Sequence, residues 1–326
     1  MKKGILIQST LPVILFFLFC SSEPNVTFVQ KEHKIDVMMN GKRITTYYYA
    51  LDLTKPILYP VLSPSGVVMN RSFPFETVAG ESQDHPHHTG LFFTYDDING
   101  NGFWNNTTSP PQVQHVRFSQ MAEGTSGTLS VVLHWVGKNG RTLLEENRSM
   151  VFYPGKDEYT VDFVMTLTAQ DTTVIFRDTK EGMFAIRVAD WLKEDGGSGR
   201  YLSSNGDETE KNIWGRRASW VRLEGEKEGK QYGIAILNHP KSTNFPTYWH
   251  ARAYGLFSAN PLGQYVFQTS HQVENPQEFK LTLKPAESAV FGFRMKIYEG
   301  SRTKQQLDDA FDTYVKQAIV KTNQSD

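Results

Sequence analysis

The chain has 326 residues, with 34 Lys+Arg against 35 Asp+Glu and a formal net charge of −1. That balance excludes a broad basic footprint, and no nucleic-acid partner is expected. Aromatic residues make up 13% of the chain, which favours strands, and the single cysteine, Cys20, excludes both an intramolecular disulfide and a cysteine-based zinc site.

Lys2 and Lys3 precede an apolar run from Leu11 to Phe19. The run is too short to span a bilayer and has the length of a signal-peptide core. Residues 1–19 are therefore expected to be a signal peptide, with Cys20 a lipoprotein acylation site, although Phe19 stands where such sites carry a small residue. The expected location is outside the cytoplasm, periplasmic or lipid-anchored to a bacterial cell envelope.

Residues 25–321 are expected to form one β-sandwich domain. Ile35–Met39 and Arg43–Tyr49 flank Asn40–Gly41, and Leu129–Val136 and Arg141–Tyr153 flank Asn139–Gly140. Both pairs of turn residues tolerate positive φ, so both stretches predict hairpins. Tyr159–Thr168 places Val161, Phe163, Met165 and Leu167 on one face by strict alternation. Shorter strands are predicted at Val174–Phe176, Met183–Val188, Trp220–Leu223, Tyr232–Leu237, Tyr254–Phe257, Tyr265–Thr269, Phe279–Leu283 and Val290–Ile297. From Ser301 the period changes: Leu307, Phe311, Tyr314 or Val315, and Ala318 recur at helical spacing, which predicts a helix over 301–321 with Ser301 as N-cap. No strand–helix alternation calls for a parallel sheet. The predicted fold is all-β, a large antiparallel sandwich closed by a C-terminal helix.

Three polar clusters carry the candidate chemistry. Gln83–Gly90 holds three of the nine histidines, His85, His87 and His88. Imidazole titrates near neutrality, which suits a general acid or base. The same tract offers a His-bound metal as an alternative, with Glu76, Glu81, Asp84, His239 and His250 as further ligands; no cofactor is the primary expectation. The second cluster holds His239, His250, Arg252, Tyr254 and Asn260. On one strand face His250, Arg252 and Tyr254 combine a titrating group, a fixed cation and a hydroxyl, a set suited to a polyhydroxylated or anionic ligand. The third runs from Glu181, a candidate acid or base, to Arg187. Trp104 and Trp214 are candidate platforms for the apolar face of a sugar. Phosphate-binding glycine loops and the G-x-S-x-G elbow are absent from the sequence, which removes support for nucleotide and serine-esterase readings.

Across residues 72–104, 181–192, 213–225 and 232–263, in blocks such as QDHPHHTGLFFTYDDINGNGFW and YWHARAYGLFSANPLG, the sequence resembles the bacterial PmoA-like family. Thr89 stands where that family carries Arg after its histidine pair. The resemblance implies a supersandwich of the galactose-mutarotase type and a sugar or glycoside ligand, and it does not imply methane oxidation. It further implies a His acid and a carboxylate base around a pyranose ring. The functional expectation is an exported carbohydrate-active enzyme, an epimerase, lyase or hydrolase using His85, His87, His88, Glu181 and His250. Trp104, Arg187, Trp214, His239, Arg252, Tyr254 and Asn260 are expected to bind its substrate. The alternatives are a non-catalytic sugar-binding envelope lipoprotein and a His-ligated metal enzyme.

Overall fold

The computed structural model describes Met1, residues 25–106 and residues 108–317. Residues 2–19 of the expected signal peptide, Cys20 and residues 318–321 of the expected helix lie outside the described residues. Two eight-stranded sheets dominate, and every strand pairing in them is antiparallel. The first runs, in spatial order, Val26–Lys31, Lys34–Met39, Lys42–Tyr48, Ile57–Leu58, Leu91–Tyr95, Gly182–Arg187, Leu256–Asn260 and Tyr248–Ala251. The second runs Arg200–Ser203, Trp220–Lys227, Lys230–Asn238, Ser288–Glu299, Glu158–Ala169, Thr142–Pro154, Gly127–Val136 and Gln112–Ala122. A small sheet of Leu281–Leu283, Val174–Phe176, Asp97–Ile98 and Asn101–Gly102 closes one end.

The core lies between the large sheets. Phe93, Phe184, Phe257 and Trp249 of the first sheet join Trp135, Phe163, Phe291 and Phe293 of the second in one apolar cluster. Phe184 stacks on Phe293 at 4.8 Å between ring centroids. Alternation along the long strands sends every second side chain inward, which is why the pattern was visible over Tyr159–Thr168.

Asn40 and Gly41 do form the first hairpin turn, at φ +50° and +76°. At the second, Gly140 takes φ +77° but Asn139 does not, and Gly137 N–H donates to the Arg141 carbonyl, so the loop is longer than two residues. The C-terminal helix begins later than Ser301. It spans Lys304–Val315, and Thr303 is its N-cap. Thr303 Oγ1 accepts from the Gln306 N–H and the Gln306 side chain accepts from the Thr303 N–H, satisfying two end donors at once. Leu307 and Tyr314 bury against Trp220 and Tyr298 on the outer face of the second sheet.

The predicted strand Tyr265–Thr269 is instead a helix, Gln264–Ser270. The Asp178 carboxylate, from a distant loop, accepts from the free N–H groups of Tyr265 and Val266 at 2.7 and 3.1 Å. That tertiary cap overrides the β preference of Tyr, Val and Phe. A further short helix, Thr209–Ile213, precedes the strand Trp220–Lys227.

Candidate functional site

Four neighbouring strands of the first sheet build the floor of the site. Their pairing aligns Phe92 with Ala185, Ala185 with Ser258, and Ser258 with His250. Because Phe93, Phe184, Phe257 and Trp249 face the core, this row lies on the opposite, outer face. Its middle carries small side chains, and its ends carry Phe92 and His250. Trp104 packs on Phe92 at 5.0 Å, and Tyr254 joins the same apolar group.

The segment Ser82–His88 folds over one end of this floor and is fixed from beneath by Arg71. The buried Arg71 guanidinium donates to the carbonyls of Ser82, Asp84, His85 and His88, and to Asp84 Oδ1 at 2.8 Å. These bonds hold His85 at φ +46°, a left-handed conformation that is uncommon for a residue with a side chain. Gly90 ends the segment at φ +58°, and a Cβ there would lie 2.5 Å from the Leu58 carbonyl oxygen. Only glycine passes that point without a shift. Arg187, also buried, donates to Asp84 Oδ1 at 2.6 Å and stacks over the Tyr254 ring at 4.7 Å.

The three histidines do not alternate across a strand as extended backbone would place them. They form an aromatic group. His85 lies parallel to His88 at 4.9 Å and to Tyr254 at 5.1 Å, and His87 meets His88 edge-on at 4.3 Å. The Asp84 carboxylate bonds His85 Nδ1. His85 is exposed and His87 half-buried, whereas His88 is 1% exposed and both its ring nitrogens lack a partner. Burial, followed by the charge of Lys55, lowers His87 to about 4. Burial, followed by His87 and Arg187, holds His88 well below its ordinary value. Both imidazoles are therefore neutral at pH 7, each with a ring lone pair for a proton, and burial makes them weaker bases than free imidazole.

His250 sits at the far end of the floor row, with burial first and Lys180 second pushing it down to about 3. Its Nδ1 has no partner, and Trp214 meets its ring edge-on at 6.3 Å. Glu181 pairs with Lys180 at 2.9 Å. Asp96 lies on the same rim, its N–H donating to the Glu181 carbonyl, and burial, opposed by the Asn105 backbone N–H, raises its carboxyl.

Other expected residues have different duties. His239 lies away from this face: Nδ1 accepts from the Lys241 N–H, Nε2 contacts the Gln317 carbonyl, and the ring packs on Tyr314 of the C-terminal helix. It is corrected from a ligand contact to a helix-packing residue. Asn260 is corrected likewise: its Nδ2 donates to the carbonyls of Thr179 and Lys180, and its Oδ1 accepts from the Leu262 N–H. Arg252 borders the site but is ion-paired with Glu210 at 2.5 Å, between the rings of Trp214 and Tyr254. Arg71 and Lys55 escaped the sequence reading, and Asp84 entered it only as a candidate metal ligand, not as the partner of two arginines. Among the described residues no group of three His, Cys, Asp or Glu side chains is placed to hold a metal ion.

A separate cleft of about 460 Å³ lies beyond the edge strand, lined by Arg217, Tyr248, Phe267 and His271 among others. Its main polar groups are already engaged. Arg217 bonds Asn244, Pro246 and Gln264, and His271 Nε2 bonds the Trp214 carbonyl. The histidine face, whose buried polar groups are unengaged, is the stronger candidate.

The model of the family of unknown function DUF6807 matches residues 34–312, and the chain belongs to that family. No curated protein matches the chain. Among solved structures it is similar to the GH36 α-galactosidase AgaB of Geobacillus stearothermophilus, at 10% identity and a TM-score of 0.40, covering 85% of this chain and 41% of that one. The chain thus spans about two fifths of the galactosidase. It is also similar to a putative aldose 1-epimerase of Escherichia coli K12, at 13% identity and a TM-score of 0.32, covering 85% of this chain and 99% of that one. The Slr1438 protein of Synechocystis sp. PCC 6803 is similar at 9% identity and a TM-score of 0.32, over 89% of this chain and 100% of that one.

Proposed function

We propose that this member of the DUF6807 family is an exported carbohydrate-active enzyme that performs acid–base chemistry on a sugar or glycoside, as an epimerase, lyase or hydrolase. One observation carries the reading. Buried polar groups in folded proteins are almost always hydrogen-bonded. Here His88 Nδ1 and Nε2, Trp104 Nε1, Arg187 Nε and Nη1, and His250 Nδ1 are all buried without a partner and belong to one face of one sheet. A ligand rich in hydroxyls, each both donor and acceptor, answers such a mixed set. The half-buried ring of Tyr254 lies beside these groups, whereas Trp104 is buried behind Phe92.

In this reading a neutral histidine, His88 or His87, takes the proton. Asp96, with its carboxyl raised by burial, supplies one, and Glu181 lies beside it. Arg187 stabilises charge developing on a substrate oxygen. Export, and acylation of Cys20 as a membrane anchor, belong to the same proposal and rest on the pattern of the first twenty residues.

The test is incubation of the purified protein with panels of oxidised and unoxidised glycosides, followed by mass spectrometry. A product formed from any of them supports the proposal. Retention of a sugar without conversion would favour the sugar-binding alternative, and neither binding nor conversion across the panels would refute both.

A further inference from the structure

Lys55 is 2% exposed, and its Nζ has no hydrogen-bond partner. Lysine is almost never buried unpaired, because the ammonium loses its hydration without compensation. The position is built firmly. Gln112 Nε2 donates to the carbonyls of Leu51 and Leu53, both at 2.6 Å, and the Val113 N–H donates to the Thr54 carbonyl at 2.9 Å. Pro56 follows at once, and Ile57–Leu58 is stitched between Lys42–Tyr48 and Leu91–Tyr95. The chain is thus pinned on both sides of a side chain that it sends into an apolar place.

Nζ lies 5.2 Å from the centre of the Phe92 ring. The same ring is 6.2 Å from His88 and 5.0 Å from Trp104, so amine, imidazole and indole gather round one phenylalanine. The charges that bear on this corner are those of Lys55, Arg71 and Arg187, with the carboxylate of Asp84 answering both arginines and those of Glu81 and Asp190 acting on Arg71. No carboxylate is paired with Lys55 among the described residues. Burial alone brings the amine down to about 7.

We propose that Lys55 is a nucleophilic amine that forms an imine with the carbonyl carbon of an open-chain or keto sugar. The inference rests on the carbohydrate reading of this site and deepens it to carbonyl-bearing sugars. The Nζ lone pair forms the C–N bond while the C=O π pair moves to oxygen. The neutral imidazole of His87 or His88 carries the first proton from nitrogen to that oxygen, giving a carbinolamine, and then the second, as the nitrogen lone pair closes C=N and the C–O bond breaks. Water leaves, so amine plus carbonyl gives imine plus water, and no oxidant or reductant is consumed. His87, half-buried beside the exposed His85, is the histidine of the pair nearer to solvent, and the charge of Lys55 bears on it.

The test uses the whole protein with D-glyceraldehyde and sodium cyanoborohydride at pH 7, followed by peptide mapping. An amine with a pKa near 7 is about half free there, whereas an ordinary lysine is free to less than roughly one part in a thousand. The expected result is a single early adduct on Lys55, forming at least about tenfold faster than on other lysines. Lys55→Arg and Lys55→Met, checked for an unchanged melting profile, should abolish that early adduct. Labelling of Lys55 no faster than surface lysines would overturn the inference. If that protein still converts a glycoside from the panels, the carbohydrate reading survives and only the imine falls.

Discussion

Arg71 and Arg187, both fully buried, meet on a single oxygen: Asp84 Oδ1 lies 2.8 Å from Arg71 Nη1 and 2.6 Å from Arg187 Nη2. Two guanidinium groups thus share one carboxylate, and Glu81 and Asp190 add their charges beside Arg71. Arg71 spends its donors on the carbonyls of the histidine segment, whereas Arg187 keeps Nε and Nη1 unengaged. The pair divides its labour, with Arg71 holding the loop and Arg187 left available to a ligand.

Asp84→Asn should destabilise the protein by about 1–3 kcal/mol, less than a fully buried pair because Asp84 itself is 41% exposed. Burial alone would raise the Asp84 carboxyl, but His85 and the two arginines outweigh it and hold it below the ordinary value. A lowered carboxylate gives stability that is present above the unfolded pKa and is lost as pH falls through the folded one. Urea unfolding should therefore show the gap between native protein and Asp84→Asn closing below pH about 4. A gap that stays constant to pH 2.5 would contradict this role.

The buried histidines impose a second pH dependence. His87 and His250 are lowered to about 4 and about 3, with burial the leading cause in each. The unfolded chain binds their protons first, so stability is full above pH about 6.5 and falls as pH drops toward 4. His250→Gln should flatten that decline by close to one proton. The check is the slope of unfolding free energy against pH between 6.5 and 4, and an unchanged slope would show that His250 is not buried as a neutral ring.

Gly90→Ala places a Cβ 2.5 Å from the Leu58 carbonyl oxygen at φ +58°. We expect a loss of at least about 1 kcal/mol, with the histidine segment loosened. Faster amide exchange at His85–Thr89 and an earlier thermal midpoint would report it. Wild-type exchange in this segment would argue against the constraint.

Trp104 separates packing from recognition. Trp104→Ala should cost about 3–5 kcal/mol, because the ring is fully buried. Trp104→Phe keeps most of the packing and removes only Nε1, which has no partner to lose in the free protein. Its stability should change little, while affinity for a hydroxylated ligand should fall about fivefold, the worth of one hydrogen bond. Calorimetric melting and ligand titration on the two variants separate these effects.

The sheets were legible in the sequence because long strands with one buried face must alternate, as Tyr159–Thr168 does, and because Asn40–Gly41 supplies two left-handed residues. The C-terminal helix was legible from Leu307 and Tyr314, but its start was misplaced, since Ser301 lacks the reciprocal partner that Gln306 gives Thr303. Gln264–Ser270 was misread because its cap, Asp178, lies far away in the chain. The site was legible where residue type announces chemistry. His88, Arg187, His250, Trp104 and Tyr254 gather on or around one face of the first sheet, whereas His239 belongs to the helix interface. Lys55 and Arg71 gave no signal, because what marks them is burial without a partner in one case and a fan of carbonyl contacts in the other. Both are properties of tertiary packing.

The central claim is that the histidine face performs acid–base chemistry on a sugar, and His88 is buried there with neither ring nitrogen engaged. The deciding measurement is the turnover of a glycoside converted by the native protein, repeated with His87→Ala and His88→Ala whose melting profiles match the native one. A positioned acid or base contributes about 10²–10⁴-fold in rate, so the two variants should between them lose at least about a hundredfold. Turnover at the native rate in both would contradict the account.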